Sequence, residues 1–103
     1  MDLSGMAASN VASFIVVGKE AVASGRPRDA KVAFLMSCRV ADRLLGMDST
    51  ESADARYQLG WLYARLTLEG GAGAANRTEM RRRAEQFYAD SLRTYQAKQR
   101  PGA

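Results

Sequence analysis

The chain has 103 residues, of which 47% are hydrophobic and 25% are charged, so it suits one domain with a single core and excludes a disordered or fibrous protein. Its formal net charge is +4, but acids are interspersed among the bases, and the one dense basic run, at 81–83, lies beside Glu79 and Glu85, which favours a solvated surface over a nucleic-acid interface. Because histidine is absent and Cys38 is the only cysteine, we expect no internal disulfide, no metal, no cofactor and no catalytic residue, in a reducing, cytoplasmic compartment.

Hydrophobic and small residues recur at helical spacing in four stretches, which predicts an all-α fold of four helices. The first helix is predicted to end near Gly25, a residue suited to a left-handed C-terminal cap. Its inward stripe comprises Val11, Phe14, Ile15, Gly18, Ala21 and Val22. This stretch is too short to span a bilayer and no basic residue precedes it, so we expect no membrane segment and no signal peptide.

A second helix is predicted to start at Pro27, a residue that the first helical turn tolerates, and to end at Gly46. Its inward stripe comprises Ala30, Ala33, Phe34, Ser37, Ala41, Leu44 and Leu45. Only a few residues separate this helix from the first one. The two helices must therefore form an antiparallel hairpin.

The third helix is predicted to begin near Asp48 and Glu51, whose spacing resembles a capping box, with Ser49 and Thr50 as further candidate caps. Its inward stripe comprises Ala55, Leu59, Leu62, Tyr63 and Leu66, with Tyr57 and Trp61 toward a flank. The glycine-rich segment 70–75 then predicts a flexible loop, because glycine is unfavourable inside a helix.

Asn76 and Glu79 have the spacing of a second capping box and predict the start of the fourth helix. Its inward stripe comprises Met80, Ala84, Phe87, Tyr88, Ser91, Leu92 and Tyr95. The helix is predicted to fade by Lys98. Residues 99–103 have no apolar face and are expected to form a frayed tail.

The two predicted hairpins carry small and large residues in the same order. Gly18 in the first helix corresponds to Gly60 in the third, 42 residues later. In the second helix of each hairpin, Ala30, Phe34 and Ser37 correspond to Ala84, Tyr88 and Ser91. A small residue lets two helices approach closely, and an aromatic ring fills the space beside it. The sequence therefore predicts an internal duplication.

This duplicated pattern resembles the tetratricopeptide repeat (TPR) family, which places glycine or alanine in the first helix of each unit and small residues in the second. The offset exceeds the about 34 residues of the common form and is similar to the longer variant of kinesin light chains and many bacterial repeat proteins. The link from Leu44 to Glu51 and the segment 84–92 also resemble that variant. The glycine-rich loop and the absence of a proline after the second helix depart from the pattern.

The resemblance covers residues 11–98 and implies a single domain, 1–103, of two stacked hairpins in a right-handed superhelix. Repeat 1 is expected at about 8–46 and repeat 2 at about 50–98, with the loop at 70–75. Such a fold implies a protein-interaction module of adaptor, chaperone or scaffold type, which binds a peptide or helix in a concave groove.

The resemblance implies that the first helix of each repeat, which is the first or the third helix here, lines the groove. Helical spacing then selects the candidate residues on these two helices. The candidates for partner binding are Lys19, Tyr57, Gln58, Trp61 and Arg65, with Val16 and Ala23 beside them. Trp61 and Arg65 lie one turn apart and combine an aromatic surface with a bidentate donor. The alternatives are that Trp61 packs between the hairpins and that Lys19 and Arg65 are solvated charges.

Some TPR proteins clamp a C-terminal carboxylate with lysine, arginine and asparagine side chains. Here the asparagines are missing, and Ile15 and Val16 are apolar where a clamp needs polar groups. An apolar or mixed helix is therefore the expected ligand. Because two hairpins leave apolar faces uncovered, we also expect a homodimer or a longer array.

Two alternative functions remain open at this point. One is nucleic-acid binding through the basic residues of the fourth helix, which are Arg77, Arg81, Arg82, Arg83 and Arg93. The other is that the chain is a regulatory fragment of a larger enzyme or repeat array.

Overall fold

The structure is a computed structural model that describes residues 7–69 and 74–99. Within these ranges it has four helices and no strand, namely α1 (Ser9–Ala23), α2 (Pro27–Leu44), α3 (Thr50–Glu69) and α4 (Ala74–Gln99). The prediction of an all-α fold with four helices is confirmed. Each helix packs against the next one in the chain, and α1 also touches α3 over a smaller area. No helix of the described part combines the length and apolarity that crossing a membrane requires.

The end of α1 follows the predicted glycine cap. Gly25 has a positive φ of 73°, and its N–H donates to the carbonyl of Val22 over 3.0 Å. The N–H of Arg26 donates to the carbonyl of Ala21 over 2.8 Å. These two bonds form a Schellman motif, which satisfies carbonyls at the end of the helix. Pro27 then opens α2 at its first position, as predicted.

The turn between α2 and α3 shows which candidate cap is used. Gly46 adopts φ of 99° and donates its N–H to the carbonyl of Ala41 over 3.0 Å, which closes α2. The Ser49 hydroxyl accepts the N–H of Ser52 over 3.1 Å and caps the start of α3. The predicted capping box at Asp48 is therefore wrong, because Ser49 occupies the cap position.

The helix α4 begins earlier than the sequence pattern predicted. Residues 70–73 of the glycine-rich loop lie outside the described residues, but 74 and 75 belong to the helix. Asn76 is therefore a residue inside α4 and not its cap. The two alanines explain the earlier start, because alanine has the highest helix propensity. At the other end Gln99 is still helical, and the predicted tail at 100–103 lies outside the described residues.

The core forms where α2 and α3 pack on each other and on the outer helices. Its largest fully buried apolar side chains are Phe34, Val40, Leu59 and Leu62. Three predicted core positions are wrong, since Leu44, Leu45 and Leu92 are 43%, 40% and 55% exposed. Leu44 and Leu45 stand at the end of α2, where the chain turns away, and Val40 fills the core one turn earlier. Leu92 lies on α4, which packs on α3 alone among the described helices.

Both hairpins contain the same close contact between a glycine and an aromatic ring. A Cβ built on Gly18 would lie 2.3 Å from Cε1 of Phe34, and one on Gly60 would lie 2.9 Å from Cδ1 of Tyr88. Only glycine permits this approach, because side-chain atoms cannot come that close. The paired small residues that follow are buried in both hairpins, and they are Ala30, Ala84, Ser37 and Ser91.

Candidate functional site

A groove with a volume of 470 Å³ lies between α1 and α3. The residues that line it are Lys19, Val22 and Ala23 from α1 and Tyr57, Gln58, Trp61 and Arg65 from α3. Both helices run antiparallel to α2, so they point in the same direction and form the two walls. Spacings of three and four residues place the lining side chains on one face of each helix.

The five residues predicted to bind a partner all line this one groove. Ala23, predicted to lie beside them, also lines it, whereas Val16 is exposed but is not a lining residue. Val22 was predicted both to belong to the packing stripe and to suit an apolar ligand helix, and it is half-buried and lines the groove.

Trp61 belongs partly to the groove and partly to the core. Its indole is half-buried and packs against the buried cluster that contains Leu59 and Leu62. Cζ of Arg65 lies 5.4 Å from the centre of the Trp61 ring. A guanidinium at this distance is attracted to the ring face by about 0.5–1 kcal/mol at an exposed site. The packing of Trp61 therefore fixes a flat aromatic surface in the groove wall.

Tyr57 extends the aromatic part of the wall. Its side chain is 47% exposed, and its ring lies 5.5 Å from the ring of Tyr88 on α4 at an interplanar angle of 56°. Burial raises the pKa of Tyr88, and the neighbouring Tyr57 raises it further. Tyr88 also packs over Gly60. Its ring therefore connects α4 both to the helix α3 and to the side chain of Tyr57. Gln58 adds an amide that can donate and accept hydrogen bonds.

The charged residues among those that line the groove are Lys19 and Arg65, and both are cations. Glu20 follows Lys19 in the sequence, but it is not a lining residue. Lys19 and Arg65 are both exposed. The groove thus combines apolar and aromatic walls with two cationic side chains.

A polar cluster between α2 and α3 was not predicted. Asp42 accepts two hydrogen bonds of 2.9 Å from Arg56 and one of 2.5 Å from the hydroxyl of Ser52. The thiol of Cys38 donates weakly to Asp42 over 3.8 Å. The sequence does contain a pattern that could have indicated this cluster. Cys38 and Asp42 are four residues apart, and so are Ser52 and Arg56. They place polar groups on the inward faces of both helices.

The cluster changes the protonation of its members. Burial acts to raise the pKa of Asp42, but hydrogen bonds from Arg56 and Ser52 outweigh it, so the pKa lies below its ordinary value. Burial raises the pKa of Cys38 to about 11. The thiol therefore stays protonated at neutral pH, which is the behaviour of a structural cysteine and not of a nucleophile.

Three of the five arginines predicted as a basic surface on α4 form ion pairs with carboxylates of the same helix. Arg82 and Arg83 approach the carboxylate of Glu79 within 2.9 and 3.1 Å. Arg93 approaches Asp90 within 3.2 Å. These carboxylates on the same helix reduce the positive potential that a phosphate backbone would meet. The geometry gives no specific support to the nucleic-acid alternative.

A second cavity of 590 Å³ lies near the end of α4. Its lining residues are Met47, Asp48, Arg56, Asp90, Arg93, Thr94, Ala97 and Lys98. Arg56 and Arg93 in this set already bind Asp42 and Asp90. The lining of this cavity therefore mixes charges of both signs, whereas the lining of the groove between α1 and α3 includes Tyr57 and Trp61.

Among the described residues, no three histidine, cysteine or carboxylate side chains are grouped so that they could hold a metal ion. No protein-family model, curated protein or solved structure matches the chain. The TPR family therefore stays a prediction from the sequence pattern.

Proposed function

We propose that the chain is a non-catalytic protein-interaction module that binds a helix or an extended peptide in the groove between α1 and α3. The observation that supports it is the composition of the groove wall, where Trp61 and Tyr57 lie beside Lys19 and Arg65. Tryptophan, tyrosine and arginine are enriched among residues that dominate binding energy. A groove between two helices suits an amphipathic partner with anchors three or four residues apart.

We also propose that the module is of the TPR type, with repeat 1 at about 8–46 and repeat 2 at about 50–98. Two observations support this assignment. The contact of Gly18 with Phe34 recurs as the contact of Gly60 with Tyr88, and the first helices of the two units lie side by side. We propose that such a module acts as an adaptor, chaperone or scaffold, and that it does so in the cytoplasm.

The uncovered end of the second hairpin supports a proposal of self-association. Leu92 is largely exposed on α4, and α4 has α3 as its one packing partner among the described helices. End units of repeat arrays need either a polar outer face or a neighbour. We propose that a second copy or a further hairpin covers this face.

Partner capture from the native cell tests the proposed function. The chain with Trp61→Ala and Arg65→Ala is compared with the unchanged chain and with Arg28→Ala/Arg39→Ala, which alters two exposed residues of α2 outside the groove. We expect the unchanged chain and the control variant to capture the same partner. The groove variant should not capture it. Recovery of that partner at full strength on the groove variant would show that the groove is not the binding site.

A further inference from the structure

The junction between the two hairpins shows which helix faces join neighbouring units. Asp42 of α2 is bonded to Ser52 and Arg56 of α3, so the faces that carry these residues meet. Cys38 lies one turn before Asp42, and Leu59 lies three residues after Arg56, which places them on the same two faces. Both are buried. The junction therefore covers one residue of each of these faces.

The repeated contact between a glycine and an aromatic ring aligns the two hairpins residue by residue. Gly18 meets the ring of Phe34, and Gly60 meets the ring of Tyr88. The first helices of the two hairpins are therefore offset by 42 residues and the second helices by 54. The paired alanines and serines of α2 and α4 keep the second offset and are buried in both hairpins. Positions of one hairpin thus have equivalents in the other.

Two pairs of equivalent positions differ in exposure. Leu59 on α3 is fully buried, whereas its equivalent on α1, Val17, is 52% exposed. Cys38 on α2 is buried, whereas its equivalent on α4, Leu92, is 55% exposed. Among the described helices, none packs on α1 from the side on which α2 packs on α3, and none packs on α4 from beyond. Each end of the fold therefore exposes an apolar residue at a position that the internal junction buries.

The two ends also carry complementary charges. Leu62 of α3 lines a small cavity together with Pro27 at the start of α2. Glu20 is the equivalent of Leu62 on α1, and Arg81 is the equivalent of Pro27 on α4. Both charged residues are exposed, and neither forms an ion pair with another described residue. Two copies stacked in the way of the two hairpins would bring these opposite charges together.

We propose that a second copy of the chain binds head to tail, with the α1 face that carries Val17 on the α4 face that carries Leu92. The interface repeats the internal junction between α2 and α3. This inference rests on the proposed self-association and adds the two surfaces that join. Because these surfaces differ, the contact is heterologous. A pair of copies therefore keeps one free face of each kind and can add further copies.

Mixing two blocked variants tests the head-to-tail contact. Val17→Asp blocks the α1 face and Leu92→Asp blocks the α4 face, so each variant alone should associate about tenfold or more weakly than the unchanged chain. A one-to-one mixture should form a heterodimer, because the first variant keeps an intact α4 face and the second keeps an intact α1 face. Sedimentation equilibrium measures the mass, which should not exceed that of two copies.

Three controls accompany the mixture. The mass of the unchanged chain should rise with concentration beyond two copies, and Val32→Asp, at an equally exposed position of α2, should behave in the same way. The double variant Val17→Asp/Leu92→Asp should join neither single variant. Val17, Leu92 and Val32 are all exposed, and far-UV circular dichroism checks that each variant is folded.

Three outcomes would overturn the inference. One is a mixture that stays as weakly associated as its two components. Another is an unchanged chain whose mass levels off at two copies, since this would indicate a symmetric dimer. The third is an unchanged chain that is monomeric at every concentration. None of these outcomes bears on the groove, for which the capture experiment with Trp61→Ala/Arg65→Ala decides separately.

Discussion

Arg56 donates one hydrogen bond of 2.9 Å to each carboxylate oxygen of Asp42, and so joins α3 to the last part of α2. Two parallel bonds between guanidinium and carboxylate are the strongest geometry for such a pair. The pair lies at the junction between the two hairpins. Because α1 reaches α3 mainly through α2, this junction also supports the relative position of the two groove walls.

Loss of one partner of this pair should destabilise the fold. The side chains of Arg56 and Asp42 are only 14% and 26% exposed, so Arg56→Ala leaves a poorly hydrated carboxylate. We expect its free energy of unfolding to fall by about 2–3 kcal/mol. Urea denaturation measures the change. The double variant Asp42→Ala/Arg56→Ala should lose less than the sum of the single variants, and strict additivity would mean that the two residues do not interact.

The same pair should make stability depend on pH in the acid range. The pKa of Asp42 is lowered in the folded chain, whereas it is about 3.9 in an unfolded chain. Between the pKa of Asp42 in the folded chain and its pKa in the unfolded chain, the unfolded state binds more protons. The free energy of unfolding therefore falls as the pH drops from the unfolded pKa toward the folded pKa. The contribution is fully present at higher pH.

Asp42→Asn isolates this contribution. The variant removes the titrating group. When the pH is lowered from 6 to about 3, its melting temperature should therefore fall less than that of the unchanged chain. Glu79, whose pKa is also lowered by its bonds to Arg82 and Arg83, stays in both proteins. Parallel curves for the two proteins would show that Asp42 does not account for the acid sensitivity.

Helical periodicity and glycine caps were enough to predict the four helices and the end of α1. They also placed Lys19 and Trp61 on faces that meet in one groove, because the face of a side chain depends only on its spacing along the helix. The 42-residue offset between the hairpins paired Gly18 with Gly60, and both glycines contact an aromatic ring in the structure.

The errors in the predicted core and the missed ion pair have a common physical cause. Periodicity shows which side of a helix is apolar, but not which stretch of that side another helix covers. Leu44 and Leu92 therefore fit their stripes and are still exposed. The ion pair between Asp42 and Arg56 depends on how far α2 is shifted along its axis relative to α3. The spacing of residues within one helix does not determine this shift.

Gly18→Ala should destabilise the first hairpin. The added methyl group would lie 2.3 Å from Cε1 of Phe34, whose ring is fully buried and has no space to move. We expect the clash to cost about 1–3 kcal/mol and the higher helix propensity of alanine to return up to about 1 kcal/mol. Thermal or urea unfolding should show a net loss of stability.

Gly60→Ala is the matched comparison in the second hairpin. Its methyl group would lie 2.9 Å from Cδ1 of Tyr88, a ring that is only partly buried and can shift. The loss should therefore be smaller than for Gly18→Ala. Phe34→Leu combined with Gly18→Ala should recover part of the stability, and an unchanged or more stable Gly18→Ala protein would contradict the close contact.

Cys38 should react slowly with thiol reagents. Burial raises its pKa to about 11, so at pH 8 the thiolate fraction is about 0.1%, compared with about a quarter for a free cysteine of pKa about 8.5. The expected labelling rate with a disulfide reagent is lower than that of a free cysteine by about two orders of magnitude. Unfolding in urea should restore the free-cysteine rate, and fast labelling of the folded chain would refute the buried position.

The exposed face of α4 gives a prediction about self-association. Burying one leucine between two copies removes enough apolar surface to contribute about 1.5–3 kcal/mol. If a second copy covers Leu92, sedimentation of the unchanged chain should show an oligomer whose fraction rises with concentration. Leu92→Asp should shift the protein to monomer, while Val32→Asp, which alters an equally exposed residue on α2, should leave the oligomer in place. A monomer at every concentration for the unchanged chain would exclude the dimer and leave a further hairpin as the cover of this face.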